Sequence, residues 1–245
     1  QVRIGMVTSV ALSKEVGGIH KATIDNAKEV EAETVIIATG ATAKYLGLPS
    51  EQRLRGGGVS ACAVCDGFFY KGQDVAIVGG GDTAAEEATY LANICNKVTM
   101  LVRRDEMRAS KAMQHRVNKT KNIDLRYNTE VDEVLGDQVV EGLRIVNNQT
   151  GAKEEIKISG LFVAIGHKPN TEVFKGQIDM DDTGYIVTQG KSTKTNLPGV
   201  FACGDVQDQE YRQAVTAAGT GCMAALDAER YLASVEDTAE VSLEG

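Results

Sequence analysis

The sequence contains no tryptophan, only three prolines and few aromatic residues, which make up 5% of its 245 positions. A hydrophobic core must therefore rest on aliphatic side chains, and hydrophobic residues account for 42% of the chain, as in ordinary globular proteins. No apolar run approaches the roughly 20 residues of a transmembrane helix, and the N-terminus carries no signal-peptide pattern. These absences predict a globular protein that is not inserted in a membrane.

Positive charge and cysteine are scarce as well. Lysine and arginine number 26 against 34 aspartate and glutamate residues, a net charge of −8 that argues against a nucleic-acid partner. The five cysteines are Cys62, Cys65, Cys95, Cys203 and Cys222. Because their number is odd and only one pair is close, they do not form a secreted disulfide framework, and a reducing cytoplasm is predicted.

Two apolar strands that each end in glycine predict the domain organisation. The first is TVIIATG, ending at Gly40, and the second is LFVAIG, ending at Gly166. Continuous apolar strands of this kind are typical of sheets buried on both faces. Strand and helix patterns alternate between them, and a helix is predicted over 211–233. We therefore expect an α/β protein in which one domain, 42–167, is inserted in another, formed by 1–41 and 168–245.

A glycine-rich turn follows the predicted strand 74–79. Gly79, Gly81 and Ala84 have G-x-G-x-x-A spacing between a strand and a helix, the context that dinucleotide binding requires. The first glycine permits the tight turn and the second lets the backbone approach a pyrophosphate at the helix N-terminus. A purely structural turn is the alternative. The predicted site also includes Asp82 and Thr83.

Three arginines select the nucleotide. An NAD site would place an acidic residue after the next strand, whereas this chain has Arg103, Arg104 and Arg108 there. Guanidinium groups bind a 2′-phosphate and gain nothing from a bare hydroxyl, so NADP(H) is favoured over NAD(H). The alternative is a solvated charge cluster in which Asp105 and Glu106 are the counter-ions.

The stretch SACAVCDGFFY contains a Cys-x-x-Cys pair, Cys62 and Cys65. A zinc or iron–sulfur site would need further ligands, but the other cysteines and the three histidines are scattered. The alternative that the two cysteines have no chemical role remains open. Redox exchange is favoured because a helix N-terminus lowers a thiol pKa and because Asp66 can carry the proton that a thiolate needs. Electrons from a nicotinamide would reach a disulfide only through a flavin.

These motifs resemble those of bacterial low-molecular-weight thioredoxin reductases. CAVCDGFFY is similar to the redox motif of that family, VGGGDTAAEEA to its NADPH turn and RRDEMRA to its 2′-phosphate site. GHKPNT, GVFACGDV and YRQAVTAAGTGCMAALDAERYL resemble its closing segments. The resemblance implies FAD and NADPH as cofactors, thioredoxin as partner and a homodimer. It also implies two Rossmann-like, three-layer nucleotide-binding domains, with the NADPH domain inserted in the FAD domain.

The resemblance also implies roles for individual residues. Cys62 and Cys65 would be the redox disulfide, with Cys65 nearer the flavin, and Asp66 would be the general acid and base. Cys95, Cys203 and Cys222 are assigned to packing. The FAD-binding set would be Thr39, Gly40, Gly204, Asp205, Arg212, Gln213 and Ala214.

The chain departs from the family pattern at its start. The family opens with a βαβ unit whose own G-x-G-x-x-G holds the ADP half of FAD, and no such motif precedes Val2. We therefore expect an FAD domain truncated at its N-terminus beside a whole NADPH domain. Two further functions stay open, an NADPH-binding fragment without flavin or activity and the flavoprotein reductase of a peroxide-scavenging system.

Overall fold

The computed structural model describes residues 1–243, and the chain folds into two compact units. Unit 1 consists of residues 1–42 and the described residues from 168 onward, and unit 2 of Ala43–His167. The last two residues of the predicted 168–245 segment lie outside the described part. Assignment of the units to FAD and NADPH stays a prediction.

Unit 2 is built on a five-stranded parallel sheet with the strand order β6-β13-β7-β8-β9. Its strands are β6 (Val59–Ser60), β7 (Asp74–Val78), β8 (Lys97–Leu101), β9 (Ile123–Arg126) and β13 (Gly160–Val163). The helices of this unit are α1 (Pro49–Arg53), α2 (Ala63–Asp66), α3 (Asp82–Ala92) and α4 (Lys111–Lys119). A second, antiparallel sheet consists of β10 (Thr129–Leu135), β11 (Gly142–Asn147) and β12 (Lys153–Lys157).

The period-2 alternation of the central strands produces two hydrophobic cores. On β7, Val75 and Ile77 face the layer of α3 and α4, whereas Ala76 and Val78 face the antiparallel sheet. Because a strand directs successive side chains to opposite faces, an uninterrupted apolar strand requires cover on both sides. Unit 2 therefore has three layers, helices, parallel sheet and antiparallel sheet, and its α/β class confirms the prediction.

Unit 1 contains a three-stranded antiparallel sheet, a two-stranded parallel sheet and one long helix. The antiparallel strands are β1 (Val7–Ala11), β2 (His20–Ile24) and β3 (Lys28–Ala32), and the parallel pair is β4 (Val35–Ile37) with β15 (Val200–Ala202). The helix is α5 (Ala214–Leu243). Two short strands, β5 (Ala41–Ala43) and β14 (His167–Pro169), pair with each other where the chain passes between the units.

The element predictions for unit 1 hold only in part. The β-rich pattern of EVEAETVIIA, residues 29–38, corresponds to two strands in different sheets, because β3 pairs with β2 while β4 pairs with β15. Burial of β4 on both faces also fails, since Ile36 is 42% exposed on a strand with a single partner. The sequence YIVT predicts a short strand over 185–188, but the structure has only an isolated bridge at Ile186. Finally, α5 begins at Ala214, later than predicted, and extends beyond residue 233.

The cysteines outside the Cys-x-x-Cys pair differ in environment. Cys95 and Cys203 are buried, as packing requires, and burial raises the pKa of Cys95 to about 11, with Asp74 adding to the effect. Cys222 is exposed on α5, so its assignment to packing is wrong. Among the described residues, no helix is long and apolar enough to cross a membrane. Within that same part of the chain, His, Cys, Asp and Glu side chains form no group of three arranged to hold a metal ion.

Candidate functional site

The Cys-x-x-Cys pair lies at the start of α2, directly after β6. Cys62 and Cys65 form a disulfide with their Cα atoms 5.3 Å apart. Cys62 is the N-cap of α2, and its sulfur accepts the backbone N–H of Cys65 at 3.2 Å. Cys65 is exposed and Cys62 is half-buried. The arrangement therefore presents an accessible disulfide on the surface of unit 2.

One hydroxyl group links the carboxylate and the disulfide turn. The Ser60 Oγ donates to Asp66 Oδ2 at 2.6 Å, and it accepts the backbone N–H of Cys62 at 3.1 Å. Ser60 is itself buried, with 8% of its surface exposed. The Asp66 side chain is thereby held in one orientation, next in sequence to the exposed Cys65, where a carboxylate can take up or release a proton.

The redox turn packs against the same helix that begins at the glycine-rich turn. A Cβ added to Gly67 would lie 3.0 Å from Leu91 Cδ2 and 3.2 Å from Tyr90 Cε1, so a larger residue would require these side chains of α3 to shift. Tyr70 meets Phe162 edge to face, with ring centroids 5.5 Å apart. The segment that follows the disulfide therefore packs against the helix that follows the glycine-rich turn.

The glycine-rich turn joins β7 to α3 as the motif requires. Gly79 has φ +151°, and a Cβ there would lie 2.4 Å from the Ala164 carbonyl oxygen and 2.6 Å from Ala84 Cβ. Gly81 is the N-cap of α3, and a Cβ on it would meet nothing within 4 Å. The first glycine is therefore needed by the protein itself, whereas the second leaves open space at the N-terminus of an 11-residue helix. This opening fits a pyrophosphate, which free helical N–H groups attract.

The residues of the first turn of α3 have different environments. Ala84 is fully buried against the sheet. Thr83 is exposed. Asp82 Oδ1 accepts the backbone N–H of Ser110 at 2.9 Å, and this bond, with a second from the Ser110 hydroxyl, holds the Asp82 pKa below its ordinary value.

The three arginines follow β8 and are all exposed. None of the salt bridges among the described side chains, which end at residue 237, involves Arg103, Arg104 or Arg108. Asp105 and Glu106 are exposed as well and form no salt bridge with these arginines, so a phosphate site and a solvated charge cluster both stay open. Three unpaired guanidinium groups at the strand end fit a phosphate ester.

In unit 1, the residues predicted to pass near a flavin are organised by Asn170. The Thr39 hydroxyl donates to the Asn170 carbonyl oxygen at 2.7 Å, and Asn170 Nδ2 donates back to the Thr39 carbonyl at 2.9 Å. The backbone N–H of Asn170 binds the Gly40 carbonyl at 2.9 Å. Gly40 has φ +70° and open space where a Cβ would be. This cradle leaves room for a ligand beside an exposed backbone.

The other predicted flavin residues surround the beginning of α5. Gly204 has φ +70°, and its N–H binds the Thr220 hydroxyl at 2.9 Å. Asp205 follows in a short 3-10 helix, and its surface is partly accessible. Arg212 has φ +48° and donates to the Gln209 carbonyl. Just before α5, Gln213 accepts the Ala217 N–H at 2.9 Å, and Ala214 is the first helical residue and is exposed.

Sequence reasoning missed Ser60 and Asn170. The serine stands two residues before Cys62, and this spacing is typical of hydroxyl-to-backbone turns. Asn170 is part of the GHKPNT motif, but its hydrogen bonds with Thr39 join residues 131 positions apart in the sequence. The role of Ser60 could be predicted from a local sequence pattern, whereas the contacts of Asn170 could not be found without the three-dimensional structure.

An accessible disulfide and a dinucleotide-type turn on one α/β unit define a class of nucleotide-dependent disulfide oxidoreductases. In agreement with this, the family model described as pyridine nucleotide-disulphide oxidoreductase matches residues 2–221. The chain belongs to this family.

Within the family, the chain is similar to thioredoxin reductases. It is 50% identical over 238 residues to the thioredoxin reductase of Streptomyces clavuligerus, covering 97% of this chain and 74% of that protein. The solved thioredoxin reductase of Streptococcus pyogenes superposes with a TM-score of 0.86 at 38% identity, over 94% of this chain and 74% of its own. That of Giardia duodenalis gives 0.85 at 44%, with the same coverage. The resemblance stated from the motifs is confirmed.

Proposed function

We propose that this chain is an NADPH-dependent thioredoxin-disulfide reductase, in which electrons pass from NADPH through FAD to the Cys62–Cys65 disulfide and then to thioredoxin. The observation that carries the proposal is the accessible disulfide at α2 on the same unit as the glycine-rich turn and the unpaired arginines. The thioredoxin reductases to which the chain is similar support the choice of reaction.

The chain's own residues bind the cofactors and move the proton. Gly81 and the N-terminus of α3 would receive the pyrophosphate of NADPH, and the arginines its 2′-phosphate. The Thr39–Gly40 cradle and the segment from Gly204 to Ala214 would hold FAD. A bound flavin supplies the two-electron relay that joins a nicotinamide to a disulfide. Asp66 would give a proton to the sulfur released when the disulfide opens, with Ser60 keeping its carboxylate in place.

The surface beside the disulfide supports a protein substrate. Val64, between the two cysteines, is 58% exposed, and Phe68 and Phe69 are 68% and 74% exposed. Exposed aromatic side chains grouped at a reactive centre are typical of surfaces that a partner covers. Thioredoxin would bury these three side chains while its own disulfide approaches Cys65 or Cys62.

The test measures absorbance and turnover of the purified chain. We expect a flavin spectrum and NADPH oxidation that depends on oxidised thioredoxin. Cys65→Ser should abolish thioredoxin reduction, whereas Cys222→Ser, which replaces an exposed cysteine of the other unit, should leave it intact. Thioredoxin reduction that persists in Cys65→Ser would contradict the proposed mechanism.

A second candidate function is NADPH binding without flavin. It is supported by unit 2, which has its own parallel sheet and two hydrophobic cores and so does not depend on unit 1 for its interior. Nucleotide binding by a purified chain that shows no flavin absorbance and no turnover would favour this function over the first.

We also propose a homodimer in the cytoplasm. An odd number of cysteines with one redox pair supports a reducing compartment. Sedimentation equilibrium of the purified chain tests the dimer, and a mass of one chain at micromolar concentration would contradict it.

A further inference from the structure

The segment between β8 and α4 holds Arg108 on a backbone that is fixed on both sides. Met107 and Ala109 are buried, with 3% and 4% of their surfaces exposed, while Arg108 between them is exposed. Two buried neighbours anchor the main chain, so the guanidinium group extends from a defined point.

Hydrogen bonds tie this segment to the glycine-rich turn. The Gly80 carbonyl accepts the N–H of Arg108 at 2.7 Å and the N–H of Ala109 at 3.0 Å. One residue further, Asp82 Oδ1 accepts the N–H of Ser110 at 2.9 Å. The turn that would receive a pyrophosphate and the arginine that would receive a 2′-phosphate are therefore joined through consecutive backbone groups.

A second brace comes from α4. Gln114 Nε2 donates to the Met107 carbonyl at 3.2 Å and to the Ala109 carbonyl at 2.7 Å. These are the carbonyl groups on either side of Arg108. Gln114 and Asp82 thus hold the same short segment from two elements, α4 and α3.

Asp82 is poorly suited to contact the nucleotide itself. It is an ionised carboxylate in the first turn of α3, where a bound pyrophosphate would repel it. Its Oδ1 instead accepts the backbone N–H of Ser110 at 2.9 Å. The position of the Asp82 carboxylate is therefore explained by its hydrogen bond to Ser110, not by a contact with the nucleotide.

We propose that Asp82 and Gln114 are positioning residues that set the preference for a 2′-phosphorylated nucleotide by fixing Arg108 relative to the glycine-rich turn. The inference rests on the proposed NADPH site. A guanidinium group recognises a phosphate through paired, directional hydrogen bonds, so small displacements weaken the contact. NAD⁺ has a hydroxyl at that position and does not use Arg108, so displacement of the segment reduces discrimination more than nucleotide binding in general.

The experiment titrates the full chain with NADP⁺ and with NAD⁺ by calorimetry and compares the ratio of their dissociation constants. We expect Asp82→Ala and Gln114→Ala each to reduce the preference for NADP⁺ roughly fivefold to twentyfold, mainly by weakening NADP⁺. Asp82→Asn keeps an acceptor oxygen for the Ser110 N–H, so this variant should retain a preference for NADP⁺ within about twofold of wild type. Asp105→Ala removes an equal charge from an exposed neighbouring position and should not reduce the preference.

The outcomes separate this inference from the proposed function. A wild-type chain that does not prefer NADP⁺ contradicts the proposed NADPH site itself. A wild-type preference that survives unchanged in both alanine variants, or a loss of affinity equal for both nucleotides, overturns the positioning roles alone. If Asp82→Ala does not fold, Gln114→Ala gives the same comparison, because it leaves the bond between Asp82 and Ser110 in place.

Discussion

Substitution of alanine at the two glycines of the turn should produce opposite effects on stability and binding. At Gly79, φ is +151° and the added Cβ would lie 2.4 Å from the Ala164 carbonyl oxygen. The backbone conformation costs about 1–3 kcal/mol for a residue other than glycine, and overpacking adds about 1–3 kcal/mol. We therefore expect Gly79→Ala to lower the free energy of unfolding by about 2–6 kcal/mol.

At Gly81 the same methyl group has no such cost. The backbone has φ −93° and ψ 179°, which any residue adopts, and a Cβ would meet nothing within 4 Å. Stability should change by less than about 1 kcal/mol, because alanine reduces the entropy of the unfolded chain by about 0.4–1 kcal/mol but is a poorer N-cap than glycine by a similar amount. The methyl group would, however, stand where the pyrophosphate approaches, so we expect NADP⁺ affinity to fall at least about tenfold, or about 1.4 kcal/mol.

Urea denaturation followed by circular dichroism measures the first effect, and calorimetric titration with NADP⁺ measures the second. The two variants are controls for each other, since they add the same methyl group two residues apart. Wild-type NADP⁺ affinity in a folded Gly81→Ala would refute the assignment of the turn to a dinucleotide. Wild-type stability in Gly79→Ala would refute the argument from close packing.

Three other predictions concern the rest of the chain. Burial holds the pKa of His20 below its ordinary value of 6.5, so the folded protein binds a proton there less readily than the unfolded chain. The contribution of neutral His20 to the free energy of unfolding is therefore complete above pH 6.5 and is lost as the pH falls below that value. The slope of unfolding free energy against pH in this range should be smaller in His20→Gln. Replacing Phe68 and Phe69 together by alanine should raise KM for thioredoxin about tenfold or more while leaving the NADP⁺ affinity unchanged; an unchanged KM would contradict the docking surface. In the native oxidised protein, iodoacetamide should label exposed Cys222 and not Cys95, whose buried thiol has a pKa of about 11; mass spectrometry of the labelled chain distinguishes them.

The parts of the fold that could be predicted are those in which one strand carries its own signal. β7 and β13 are uninterrupted apolar runs next to glycine, and each lies inside the parallel sheet of unit 2. β12 could not be predicted from the sequence, because KEEIK is a charged strand at the edge of a sheet and its side chains are mostly exposed. Its place is fixed by cross-strand pairing, including the Arg144–Glu155 ion pair, which no local pattern reveals.

The candidate site divides in the same way. Gly79, Gly81 and the cysteine pair could be proposed from spacing, because the turn and the disulfide each occupy a few consecutive residues. Gln114 could not, since its amide acts on carbonyl groups five and seven residues earlier, across the start of α4. The late start of α5 was equally hidden, because Arg212 adopts φ +48°, a conformation that arginine rarely takes and that only the surrounding structure imposes.

The ends of unit 2 meet each other. The backbone N–H of Lys44 donates to the carbonyl of Gly166 at 2.9 Å, so the residues one position inside each end of Ala43–His167 are neighbours. A folded segment whose ends are adjacent can be inserted into a surface turn of another protein, because the insertion does not separate the two ends of that turn. We therefore expect residues 43–167 to stay folded when inserted into a surface turn of another protein.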